Sequence, residues 1–203
     1  MKKSLLLVSL VAAMSAAPAF AQTAEEAAPA ADQAEGIRAG GNIDLGQTEA
    51  PQGPRSYFKE GFKDWKLQCV EVEGAEEDVC QMYQLLTTAE GASVAEVSIF
   101  QLKDAGQAVA GGTFVVPLET LLTQKLRISV DGSKARIYDY SFCSQIGCYA
   151  RVGFTQEDIN RFKAGAKATV TLIPALAPDQ KVELNMSLSG FTAAFEASTA
   201  MTQ

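Results

Sequence analysis

The chain contains no histidine. Histidine is the commonest general base near neutral pH and the commonest zinc ligand, so its absence excludes serine triads, HExxH zinc proteases and most transition-metal sites. Basic charge is also in short supply: 17 Lys and Arg stand against 24 Asp and Glu, for a formal net charge of −7. An acidic chain lacks the electrostatic footprint of duplex binding, and no nucleic-acid partner is expected. No C-x-x-C spacing occurs, which removes the commonest thiol redox motif. Beyond the N-terminal segment no apolar run approaches the ~20 residues that a membrane-spanning helix needs, so no transmembrane segment is expected in the mature chain.

What is present begins with a targeting segment. Lys2 and Lys3 form a short basic stretch, and Leu5 to Ala13 is apolar apart from Ser9. Ala19-Phe20-Ala21 fits the small-x-small rule for signal peptidase, so residues 1–21 are expected to be a signal peptide cut after Ala21. No cysteine lies near the cut to accept a lipid. Losing Lys2 and Lys3 takes the formal charge from −7 to −9. Residues 22–56 then hold eight Ala, five Gly, three Pro and four Gln, with six acidic and two basic residues and no aromatic side chain. Such a stretch buries too little apolar surface to offset the entropy of ordering it. It reads as a flexible acidic tether, with a partner-binding tail as the alternative.

Residues 57–203 read as one β domain, with short apolar runs separated by Gly, Pro, Asp and Ser. Leu126, Ile128 and Val130 alternate with polar neighbours, as do Val170 and Leu172, and Val182, Leu184, Met186 and Leu188. This period of two marks strands with one buried and one wet face. Val94 to Leu102 and Thr113 to Val116 are more continuously apolar and fit central strands. Asp131-Gly132-Ser133-Lys134 is a hairpin turn joining Leu126–Val130 to Ala135–Phe142. Thr155-Gln156-Glu157-Asp158 has the form of a capping box, with Ile159 and Phe162 on one face of a two-turn helix that Gly165 ends. Thr192 to Ala200 is expected as a second helical tail, and Pro117 to Leu122 as one helical turn. Seven or eight strands with brief helices suggest an all-β sandwich.

The four cysteines sharpen this reading. If Cys69 opposes Cys80, Leu67 faces Met82 and Gly74-Ala75 falls at the turn. If Cys143 opposes Cys148, Phe142 faces Tyr149 and Tyr140 faces Arg151 around a Ser144–Gly147 loop. Directly opposed strand residues lie within disulfide range. In an oxidising compartment an even number of cysteines reads as bridges. The two local pairings are favoured, and pairing between sheets is the alternative.

Several motifs occur in order along the chain. Phe62-Lys63-Asp64-Trp65-Lys66-Leu67-Gln68-Cys69 opens the domain, and Cys80-Gln81-Met82-Tyr83-Gln84 follows. Val116-Pro117-Leu118 and Val130-Asp131-Gly132 come next, then Phe142-Cys143-Ser144-Gln145-Ile146-Gly147-Cys148-Tyr149-Ala150. Ser187-Leu188-Ser189-Gly190-Phe191-Thr192-Ala193-Ala194-Phe195 closes the domain. Together these resemble the invasion-associated locus B family of exported bacterial proteins, over nearly all of 57–203. The resemblance implies an immunoglobulin-like β-sandwich of the Gram-negative periplasm or outer envelope, and it supplies no catalytic residues to carry over.

Trp65 is expected in the core, with a ligand platform as its rival role. Tyr138, Tyr140 and Phe142 alternate on one strand, and Tyr149 can join them across the hairpin. Buried packing is their plainer reading. The sharper one is an aromatic patch for a peptide or glycan, formed by Tyr138, Tyr140 and Tyr149 with Arg151 beside them. Glu71, Glu73, Glu76, Glu77 and Asp78 crowd one loop without the D-x-D-x-D-G pattern of a calcium site, so a solvated acidic tip is expected and no metal. Ser56-Tyr57-Phe58-Lys59 matches S-x-x-K but lacks the partner motifs of a serine acylase. The Asn185-Met186-Ser187 sequon sits within an expected strand. No cofactor is indicated. The leading functional expectation is a non-enzymatic exported envelope protein that binds another envelope or surface protein. A glycan- or small-ligand-binding sandwich is the alternative, and a hydrolase using paired carboxylates ranks below both.

Overall fold

A computed structural model of the chain describes residues 55–75 and 77–202. The expected signal peptide, the tether through residue 54, and Glu76 of the acidic loop lie outside the described residues. Twelve strands and two α-helices follow one another as β1 (Ser56–Phe62), β2 (Trp65–Val70), β3 (Val79–Thr87), β4 (Ser93–Lys103), β5 (Ala108–Val116), β6 (Leu126–Val130), β7 (Arg136–Tyr138), β8 (Phe142–Cys143), β9 (Cys148–Thr155), α1 (Gln156–Ala164), β10 (Lys167–Leu172), β11 (Val182–Ser187), α2 (Phe191–Ala197) and β12 (Ala200–Thr202).

The expected sandwich-like architecture is built from one continuous sheet that curls over its own core. Its strand order is β7-β6-β10-β11-β3-β4-β5-β9-β8, with β1 on β2, β2 on β3, and β12 alongside β4 in parallel. Period-two alternation does the sorting. Leu126, Ile128, Ala168, Val170, Leu184 and Met186 enter the core from one layer; Met82, Val97, Ile99, Phe114, Ala150 and Val152 enter it from the other. The core is closed by a file of aromatic rings. Trp65 is fully buried and meets Phe191 edge-on at 5.6 Å; Phe191 touches Phe162, Phe162 touches Phe154, and Phe154 touches Tyr138. Phe162 comes from α1 and Phe191 from α2, so the helices plug the mouth of the curl. Trp65 is therefore a core residue, its indole Nε1 donating to the Ser187 carbonyl at 2.8 Å.

The two layers are joined in the middle by little backbone. β11 and β3 share the single ladder pair Asn185–Thr87. Where the strands diverge, the buried Gln84 side chain replaces the ladder: its amide donates to the Asp64 and Ser187 carbonyls at 3.1 Å, and its carbonyl oxygen accepts from the Ser187 N–H at 2.8 Å. Truncating Gln84 would leave buried peptide groups unpaired, a cost of roughly 1–3 kcal/mol each. Nearby, Gly190 has φ of +87°, and a Cβ there would lie 2.0 Å from the Phe62 carbonyl oxygen. Only glycine lets α2 start against β1 in this way.

The capping box at α1 is present: Thr155 Oγ1 accepts from the Asp158 N–H, and Asp158 Oδ2 accepts from the Thr155 N–H at 3.0 Å. Two helical expectations shift. Of the helical turn expected at 117–122 only a single hydrogen-bonded turn forms, Thr120 N–H to the Pro117 carbonyl, and the helical turn lies at Leu122–Gln124. Residues 119–121 are drawn into an extended contact with 173–175, through Leu121 N–H to the Ile173 carbonyl and Ala175 N–H to the Glu119 carbonyl. The C-terminal helix stops at Ala197, because the Gln101 side chain donates to the Phe195 and Ser198 carbonyls and Thr199 N–H turns to the Cys80 carbonyl. β12 follows where the helical tail was expected to continue.

Candidate binding face on the outer sheet

Both local disulfides are formed, Cys69–Cys80 and Cys143–Cys148, each with a Cα separation of 4.0 Å. The opposed pairs are those the spacing implies: Leu67 with Met82, and Phe142 with Tyr149. The second hairpin departs from expectation at its entry. The strand entering it breaks after Tyr138, and residues 139–141 carry the chain from the β6 layer across to the β9 layer. Ser141 N–H donates to the Tyr149 carbonyl, and Arg151 N–H donates to Ser141 Oγ. The expected facing of Tyr140 and Arg151 does not form.

That crossing divides the four candidate side chains into two pairs. Tyr138 and Tyr140 turn inward and pack on the core. Burial pushes both phenols up to about 12, and the Tyr140 hydroxyl is buried without a hydrogen-bond partner among the described residues. Tyr149 and Arg151 alternate outward along β9 and meet Phe142. The Phe142 and Tyr149 rings stack at 4.6 Å and 11°, and the Arg151 guanidinium lies 5.2 Å from the Phe142 ring centroid. Phe142 remains 44% exposed. Arg151 has no carboxylate within ion-pair distance among the described residues, unlike Lys125, Arg136, Arg161 and Lys163.

Two shallow depressions flank this stack on the outer face of β4, β5 and β9. One, about 490 Å³, is walled by Phe100, Leu102, Thr113 and Arg151 and floored by the cross-strand pair Gly111–Gly153. Gly111 is needed there because a Cβ would lie 2.5 Å from the Phe100 ring. The Phe100 ring covers the Gly111 backbone, while Gly153 across the ladder stays exposed. The other, about 380 Å³, is lined mainly by apolar side chains, among them Leu85, Val94, Val115, Pro117 and Ile146. Glu96 stands at its wall, accepting from the Tyr83 hydroxyl at 2.8 Å. Burial, then this hydrogen bond, pushes the Tyr83 phenol up to about 12.

Sequence reasoning missed Phe142 as an outward residue and missed the Phe100–Gly111 depression. The Gly111-Gly112 pair inside an apolar run was the available signal. Other chemistry is not gathered in the described residues. The one buried acidic side chain there, Asp158, caps α1 and pairs with Arg136 Nε at 2.6 Å. Among the described residues no group of three or more Cys, Asp or Glu is placed to hold a metal ion, and no helix is long and apolar enough to cross a membrane.

Fold and face define a class: a disulfide-pinned, sandwich-like β protein that displays an aromatic–arginine cluster beside one of its bridges. The chain belongs to the family described as Invasion associated locus B (IalB) protein, whose sequence model matches residues 65–199. It is 26% identical over 151 residues to an invasion protein B homolog of Brucella abortus strain 2308, covering 74% of this chain and 84% of that one. The homolog from Brucella abortus biovar 1 strain 9-941 matches equally. The crystal structure of invasion associated protein B from Bartonella henselae is similar in fold, with a TM-score of 0.55 and 23% identity over 66% of this chain and 90% of that one.

Proposed function

We propose that the protein is an exported, non-enzymatic envelope component of the periplasm or outer envelope that binds another protein through the Phe142–Tyr149–Arg151 face. The observation that carries this reading is the exposed, stacked Phe142 ring capped by a guanidinium without a carboxylate partner among the described residues and held by the Cys143–Cys148 bridge. Exposed aromatic and arginine side chains on a rigid support are the usual anchors of protein interfaces, because they add contact area at small entropic cost. Two disulfides suit an oxidising compartment, and the signal-like N-terminus is the route there. The Ala/Gly/Pro-rich stretch before the domain would add reach.

The test is chemical crosslinking in intact envelopes, comparing the wild type with a Phe142→Ala/Tyr149→Ala variant. The variant is expected to lose the crosslinked species while melting within a few degrees of wild type. Identical crosslinks from both proteins would remove this face from the function. The second reading, a glycan or small-ligand binder, is favoured by the glycine-floored depression, since sugar faces stack on such walls. A glycan array that retains the wild type but not the double variant would select it. A carboxylate hydrolase would need two converging carboxylates, and Asp158 is already engaged by Thr155 and Arg136.

A further inference from the structure

We infer that the partner docks as an extended segment along the outer face of β5, presenting a carboxylate to Arg151 and an apolar side chain to the depression between Leu85 and Ile146. The inference rests on the binding role proposed above for the same face and specifies what binds there. The outward positions of β5 run Gly111, Thr113, Val115. Gly111 and Thr113 belong to the glycine-floored depression, and Val115 to the apolar one. Arg151 stands opposite Thr113, and two residues of strand separate Thr113 from Val115, about 7 Å, the length over which positions i and i+2 of an extended peptide point the same way.

Charge sets which end takes which side chain. Arg151 is held over Phe142, lacks a carboxylate of its own among the described residues, and borders the depression walled by Phe100 and Thr113. On a chain of net charge −7 an exposed cation without a partner is a local attractor for an anion. A planar guanidinium pairs with a carboxylate through two parallel hydrogen bonds. At the other end Glu96 repels a carboxylate, whereas Ile146 at 77% exposure and Leu85 at 51% gain by being covered. The Phe142–Tyr149 stack stands beside both sites and would flank the segment.

The probe is a set of fluorescent ten-residue peptides in a Ser/Thr/Gln background, carrying Asp and Leu two residues apart in either order. The comparison set carries Lys for Asp, or the same two residues at adjacent positions. Binding to the full chain is expected for the spaced Asp/Leu peptides. It should weaken at least tenfold in Arg151→Glu, weaken severalfold in Ile146→Asp, and fall with added salt. The Lys/Leu peptide should bind Arg151→Glu in preference to wild type. Equal binding of the Lys and Asp peptides to wild type, no binding of any peptide, or indifference to spacing would overturn the inference. So would retention of acidic oligosaccharides but not peptides, or a dimer of the protein itself that Arg151→Glu dissociates. If the envelope crosslink depends on Phe142 and Tyr149 but survives Arg151→Glu, the binding role stands and the acidic-segment inference falls.

Discussion

The two disulfide hairpins share a 4.0 Å Cα separation and differ in nearly everything around it. Cys69 and Cys80 are buried in a small cluster with Leu67, against which Tyr57 and Phe62 pack. Their strands are hemmed in, β2 between β1 and β3, and β3 against β4 and β11. Cys143, by contrast, is exposed on the two-residue strand β8 at the end of the sheet, and only Cys148 is buried. In the first hairpin the ladders, the cluster and the bridge all specify one register. In the second, the bridge and a pair of stacked rings are joined only by a two-residue ladder, the Ser144–Gly147 backbone bond and the Ser141 contacts with Tyr149 and Arg151. The first bond therefore supports the fold, and the second holds a surface in shape.

The sharpest way to break the interior half of this comparison is Gly190→Ala, which forces a side chain into a positive φ and onto the Phe62 carbonyl where α2 meets β1. A loss of more than about 3 kcal/mol is expected, read as a collapsed denaturation midpoint. Next comes Cys69→Ala/Cys80→Ala. The chain-entropy model assigns roughly 3 kcal/mol to this ring, so the melting temperature should drop by roughly 6–12 °C. Cys143→Ser/Cys148→Ser should do less globally, at most about 2 kcal/mol. It should nonetheless raise amide exchange across residues 141–149 and weaken partner capture. Equal global effects from the two bridge removals would dissolve the distinction. The smallest effect is alkaline. Tyr138 and Tyr140 titrate near 12 in the fold, against about 10 for a free phenol, because burial disfavours their phenolates. Their share of stability is therefore intact below pH 10 and is lost as the pH rises from 10 to 12. Tyr140→Phe should remove part of that alkaline loss, measured by denaturation at each pH.

The strands with one wet face were legible because alternation is a local property: β6, β10 and β11 lie where the polar and apolar residues trade places. The hairpin bridges were legible because opposed cysteines need only a turn of the right length, and α1 because Thr155 and Asp158 announce its first turn. β1 was not legible. It faces solvent at most positions, with Phe58 among the exposed residues, and is held by β2 rather than by a pattern of its own. The candidate site was half legible. Tyr138, Tyr140 and Phe142 have the spacing of a single strand face, and nothing local reveals that the backbone changes layers between them. The outer depressions depend on strand neighbours: which ring covers Gly111 is fixed by the β4–β5 register, a long-range fact.

The short crossing at residues 139–141 also connects β7 and β8, the two ends of the strand order. A sheet whose last strand is tethered to its first has little free margin on which another chain could grow. Among the described residues the longest margin left is β1, interrupted by a register shift between Phe58 and Glu60 and marked by the charges of Lys59 and Glu60. Charge and irregularity at an edge are what discourage cross-β growth between copies. The same turn of backbone that divides the tyrosines thus helps keep concentrated copies of the protein from templating one another.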